Sequence, residues 1–207
     1  DPHLTLKLSQ TIEQLIQALA KSKKYLKKRK FNKVQKWLGI DIEYGSSQIE
    51  YYKNLNELLD RADDLSQKLQ IEIQKSQARF KQLIGLRVQM FQYIVSAEEF
   101  LLEYPSFVKD IHPLDQFSER LSKKINTLYI LQASNDIAIT QMQLSQQLSF
   151  GLLDRFKEAQ QVLIPAWQYH VKQSRQSNST VELEKLDNSR ETLIRNLKKS
   201  LEKPSNS

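Results

Sequence analysis

The sequence predicts an all-α fold, an elongated helical bundle with long antiparallel coiled-coil-like helices. Three observations predict it. Only 4 Gly and 5 Pro interrupt 207 residues, and Gln, Lys, Leu, Glu and Ser dominate, so long helices cost little and tight strand turns are scarce. Apolar residues recur at three- and four-residue spacing along most of the chain. From Ile49 to Leu83 that spacing becomes near-heptad, the pattern of one arm of a coiled coil. An apolar content of 40% is enough to bury a core.

Taken in order, Leu8, Ile12, Leu15, Ile16 and Leu19 lie on one face of a first amphipathic helix running from about Leu8 to Leu26. Phe31, Val34, Trp37 and Leu38 resume an apolar stripe, and Gly39 and Gly45 predict a loop near 39–47. The arm that follows holds Ile49, Tyr52, Leu55, Leu58, Leu59, Ala62, Leu65, Leu69, Ile73, Phe80 and Leu83, then Leu86, Val88, Phe91, Ile94 and Leu101. Unbroken to Tyr104-Pro105, it makes about 85 Å of helix, with Gly85 as the expected kink. Pro105 and Pro113 bracket a connector, and Pro113 suits the first position of a reversed helix. That helix carries apolar residues on several faces, from Phe117 through Tyr129-Ile130-Leu131 to Leu148, which predicts a central place in the bundle. Pro165 predicts a kink. Val181, Leu186, Leu193, Leu197 and Leu201 mark a last helix before a loose tail. The linear division is thus a basic segment over 1–44, a coiled-coil-like arm over 45–104, a helical region over 105–203 and a tail over 204–207.

Charge is unevenly placed. Residues 1 to 44 hold 10 of the 31 basic residues against 4 of the 24 acidic ones, leaving 21 against 20 for the rest of the chain. Lys21, Lys23, Lys24, Lys27, Lys28, Arg29, Lys30, Lys33 and Lys36 form a run with no acid among them, and such a density repels itself unless it is solvated or faces an anion. It reads as an anionic-surface contact. Tyr25, Phe31 and Trp37 suit a lipid interface, nucleic-acid phosphates are the alternative, and a solvated face is the plain structural reading.

Chemistry is sparse. The absence of Cys removes disulfides, thiolate metal sites and thiol redox chemistry, and fits a cytoplasmic setting. No run reaches the roughly 20 apolar residues of a membrane span and no signal peptide is evident, so membrane contact is expected to be peripheral. His3, His112 and His170 lack ligand spacing, and no phosphate loop or nucleophile motif occurs. Asp60 and Asp64 stand one turn apart, but a metal site would need a facing acidic cluster such as Glu98, Glu99 and Glu103. No metal and no cofactor is expected, and the chain reads as a non-enzyme.

From Leu128 to Trp167, Gln132, Ile137, Ile139 and Gln141, then Leu152, Leu153, Asp154, Phe156 and Ile164-Pro165-Ala166-Trp167 follow one order and spacing. A closing helix has Leu183-Glu184, Leu186, Leu193-Ile194, Leu197 and Leu201. Over 115–203 this resembles the toxic anion resistance family, the TelA-like proteins of bacterial tellurite resistance. The chain departs from it at Asn135-Asp136-Ile137-Ala138, where the family reads Pro-Gln-Ile-Arg, and at Met142-Gln143, where it has paired Asn. The resemblance implies a helical protein-binding element in bacterial oxyanion or envelope stress. Pro165 and Trp167 are the residues placed at a partner groove, with a core aromatic beside a kink as the plainer alternative. Without thiols, any resistance to tellurite would be indirect.

Overall fold

The structure, a computed structural model, describes residues 2–26, 30–107, 116–176 and 179–202. All its regular elements among these residues are helical: α1 (Pro2–Ala20), α2 (Ser22–Leu26), α3 (Lys33–Trp37), α4 (Ile40–Phe107), α5 (Phe117–Glu158), a π-helical turn (Ala159–Leu163), α6 (Ile164–Gln176) and α7 (Thr180–Leu201). The all-α prediction holds. Pro113 and the tail from 204 lie outside the described residues, as do Lys27, Lys28, Arg29 and His112.

Local chemistry explains most boundaries. The predicted first helix begins earlier, at Pro2, and is interrupted at Lys21 before α2 resumes. Asn32 opens α3 with reciprocal capping: its side chain accepts from the Gln35 N–H at 2.9 Å, and its own N–H donates to Gln35 Oε1 at 3.1 Å. The expected loop over 39–47 reduces to a turn at Leu38-Gly39. Among the described residues Gly39 alone takes the left-handed conformation, at φ 71°, and it donates to Lys36 O at 3.0 Å. Asp41 and Glu43 then lie in the first turn of α4, where they complement the positive end of the helix dipole. Gly45 and Gly85 remain helical, since about 1 kcal/mol each does not break so long a helix. Pro105 likewise falls inside the last turn of α4 rather than opening a connector, because near the terminus its missing N–H forfeits one bond only.

The irregularity expected at Pro165 is a π-helical turn just before it. Pro165 has no N–H to offer the turn behind it, and the Ile164 N–H donates five residues back to Ala159 O, which absorbs the mismatch.

By internal packing the described residues form two compact units, one drawn from 1–72 and 147–207 and the other from 73–146. The first is discontinuous in sequence. In it α7 packs against α6, α1 and the π-helical turn, around Phe156, Leu8, Ile12, Leu15, Leu193 and Leu197, each at most 1% exposed. Tyr51 on α4 donates to Ala18 O at 2.6 Å, tying α4 to the end of α1. Arg155 on α5 donates to Lys199 O at 3.2 Å and to Glu202 O, satisfying carbonyls at the C-terminus of α7.

The second unit is an antiparallel helical hairpin, as its cross-links show. Gln146 Nε2 donates to Ser76 Oγ at 2.9 Å, Asn135 Nδ2 to Leu83 O at 3.1 Å and Tyr129 Oη to Glu98 Oε1 at 2.7 Å, so the pairing runs in opposite directions along the two helices. Arg87 and Asp136 add an ion pair at 2.5 Å. Ile94, Ile125 and Ile139 are buried. The expectation that α5 sits centrally is not met in this unit: Ile130 is 71% exposed, and Tyr129, Leu131, Ile137 and Leu144 are exposed too. A single partner helix covers one stripe and leaves the other apolar faces open. Leu86, Val88 and Phe91, expected on the coiled-coil seam, are exposed for the same reason.

Candidate binding site

Of the basic run, Lys21, Lys23, Lys24, Lys30, Lys33 and Lys36 lie among the described residues and are exposed. Aromatic contacts hold the run against the start of α4: Tyr25 stacks on Tyr51 with centroids 4.6 Å apart, and Phe31 meets Tyr44 edge-on at 5.6 Å. Lys23 reaches Asp187 of α7 at 3.8 Å. The apolar stripe foreseen over Phe31, Val34, Trp37 and Leu38 is not core. Trp37 is 85% exposed and Val34 and Leu38 are exposed as well, because α3 has only five residues and buries none. Cations and large apolar groups therefore share one short element.

Trp167 lies at the opposite extreme, 2% exposed on α6. Pro165 precedes it and is exposed. Trp167 lines a groove of about 430 Å³ together with Val171, Lys172 and Arg175 of α6 and Tyr52 and Leu55 of α4. Pro165 does not line it, so the two residues singled out from the sequence part company. Spacing explains the set: 168, 172 and 175 repeat by four and three on α6, and 55 and 56 stand three and four residues after 52 on α4. The Arg175 guanidinium lies 3.9 Å from the centroid of the Tyr52 ring, a cation–π contact. Burial raises the Tyr52 phenol above its ordinary value, against the opposing pull of Arg175. Burial raises the neighbouring Tyr51 phenol more strongly still.

Sequence reading missed Tyr52, Lys172 and Arg175 as site residues, and it also missed Arg190. Arg190 is 3% exposed and pairs with Asp187 and Glu191, each at 3.0 Å. Its hydrogen bond and charge hold the Glu191 carboxyl below the ordinary value. The only available signal was helical spacing, which does not say which two helices meet.

Asp64 is ion-paired with Lys68 at 2.7 Å, and Asp63 accepts from Gln67 at 2.8 Å and from Gln160. Among the described residues no group of three His, Asp or Glu is placed to hold a metal ion, and no helix is long and apolar enough to cross a membrane. Of the residues at which the chain departs from the toxic anion resistance pattern, Asn135 and Asp136 both cross-link the hairpin.

No family model matches the chain, and no solved structure does either. Among curated proteins the chain is similar to Protein KlaA of Escherichia coli, 28% identical over 169 residues. The match takes in 79% of this chain and 65% of KlaA, so the chain spans less than two thirds of that relative's length. A similarity of this extent is longer than 115–203 and takes in the whole hairpin with parts of the unit on either side of it.

Proposed function

We propose that the chain is a non-catalytic helical binding or scaffolding protein of the toxic anion resistance kind, acting inside a bacterial cell in oxyanion or envelope stress. The residue pattern ending in Ile164-Pro165-Ala166-Trp167 supports the kind of protein. The distant relationship to KlaA supports a shared architecture across both units. The observation that carries a binding role is the hairpin, whose Leu86, Phe91, Leu102, Ile130, Ile137 and Leu144 are all exposed. Exposed large apolar groups in such number on two paired helices mark an interaction surface. In a tellurite-sensitive bacterium, expression of the chain is expected to raise the tolerated tellurite concentration. Phe91→Ser with Ile130→Ser should remove that protection with helicity and melting temperature unchanged. A fully protective double variant would eliminate the hairpin as the working surface, and no protection from the unaltered chain would eliminate the oxyanion role.

The basic segment supports a second contact, with an anionic membrane surface rather than nucleic acid. Val34, Trp37 and Leu38 stand exposed among Lys30, Lys33 and Lys36. A mix of cations and large apolar groups suits the headgroup region, where each Lys contributes about 1 kcal/mol. Co-sedimentation with phosphatidylglycerol vesicles is expected, weakening as salt rises and further weakened by Trp37→Ser. Binding to duplex DNA across the same salt series, with no vesicle binding, would transfer the segment to nucleic acid.

A further inference from the structure

The groove between α4 and α6 has a graded composition. Its floor is apolar and closed: Leu55 is 1%, Trp167 2% and Val171 7% exposed. Its mouth is cationic and polar, with Lys172, Arg175, Gln168 and Asn56 all lining it and all exposed. Among the described residues no carboxylate lines the groove, and α6 itself contains no acidic residue. Among the described residues no ion pair engages Lys172 or Arg175.

A buried polar atom supplies an independent pointer. Trp167 Nε1 is shielded from solvent and has no hydrogen-bond partner among the described residues. It belongs to a side chain that lines the groove. An indole N–H can only donate, and a buried donor left unpaired is costly, so a bound acceptor would recover that cost. The Arg175 guanidinium lies 3.9 Å from the Tyr52 ring centroid and is exposed, and a guanidinium carries five N–H donors, enough to serve an oxyanion as well as the tyrosine.

We propose that this groove is a binding site for a small amphipathic anion, an aliphatic or aromatic carboxylate or phosphate monoester. The apolar body lies on Leu55, Val171 and the Trp167 ring, and the oxyanion lies at the mouth between Lys172 and Arg175. A volume of about 430 Å³ falls in the range of small-molecule sites. The same ligand chemistry exists free in solution and as the chain and headgroup of an acidic lipid.

The chain has two tryptophans, Trp37 and Trp167, so Trp37→Phe leaves Trp167 as the sole indole reporter. In that background, octyl phosphate and octanoate are expected to change Trp167 emission saturably, with 1-octanol at least about tenfold weaker. Lys172→Gln with Arg175→Gln, both at exposed positions, should weaken octyl phosphate by at least about tenfold, and Lys172→Gln alone should weaken it with an unchanged melting temperature. Trp167→Phe keeps an aromatic floor but removes the donor, and calorimetry should show it binding octyl phosphate more weakly. Phosphatidylglycerol vesicles form the membrane arm. A response to monomeric octyl phosphate alone assigns the free anion, and a response to vesicles that requires Lys172 and Arg175 assigns the lipid. No saturable response to either, equal response to octanol, or indifference to loss of both cations would overturn the site.

Discussion

Replacing Phe156 with alanine is expected to lower the stability of the unit containing α6 and α7 by about 3–5 kcal/mol. Phe156 is a large core side chain, 1% exposed. It lies on α5 two residues before its C-terminal end, next to the π-helical turn. The backbone on its far side is already committed to an irregular conformation by Pro165, so the cavity has little freedom to collapse, and cost rises with the volume left open. Denaturant unfolding followed by Trp167 emission in the Trp37→Phe background reads this unit directly. A loss below about 1 kcal/mol would mean that the bundle does not enclose the Phe156 ring.

The second large effect tests the hairpin through two isoleucines of the same chemistry. Ile94 is 1% exposed and Ile130 is 71% exposed. Ile94→Ala should cost about 2–5 kcal/mol. Ile130→Ala should fall within about 0.5 kcal/mol of zero, since it removes methyl groups that water already reaches. Equal and large losses at both positions would show that another element covers the Ile130 face. Such an outcome would also remove the exposed surface on which the proposed binding role depends.

Much of the fold was legible from periodicity. Leu8, Ile12, Leu15 and Leu19 were placed on the buried face of the first helix and are all at most 1% exposed. Leu55, Ala62, Leu65, Leu69 and Ile73 were placed on the arm's seam and are buried. Pro165 marked the irregular turn, lying two residues after the end of the π-helical turn at Leu163. The misreadings have common causes. Gly39 and Gly45 carry the same local signal, but only Gly39 needs a positive φ, and the acidic first turn of α4 carries the helix through the other. Pro105 is tolerated because it falls in a last turn.

The site was much less legible. Trp167 was identified, yet Tyr52 and Arg175, the cation–π pair at the same groove, are separated by more than a hundred residues. Neither stands out in its own helix. Asn135 and Asp136 looked like departures from a family pattern and became the residues that cross-link the hairpin. The apolar residues of α5 predicted a central helix because periodicity reports how much of a surface is apolar, not how many neighbours exist to cover it.

The sequence by itself determined the helical class, the buried stripe of α1 and of the first half of α4, the basic character of the N-terminal segment and the irregularity at Pro165. Each of these follows from interactions within a few turns of helix: side-chain spacing, charge density and a missing N–H. Only the tertiary structure decided that residues 1–72 and 147–207 form one unit, that Trp37 is exposed while Trp167 is buried, and that Lys172 and Arg175 stand over an apolar floor with an unpaired indole N–H. Those outcomes depend on which helix faces which, and helices of similar amphipathic pattern are locally interchangeable as partners until packing selects among them.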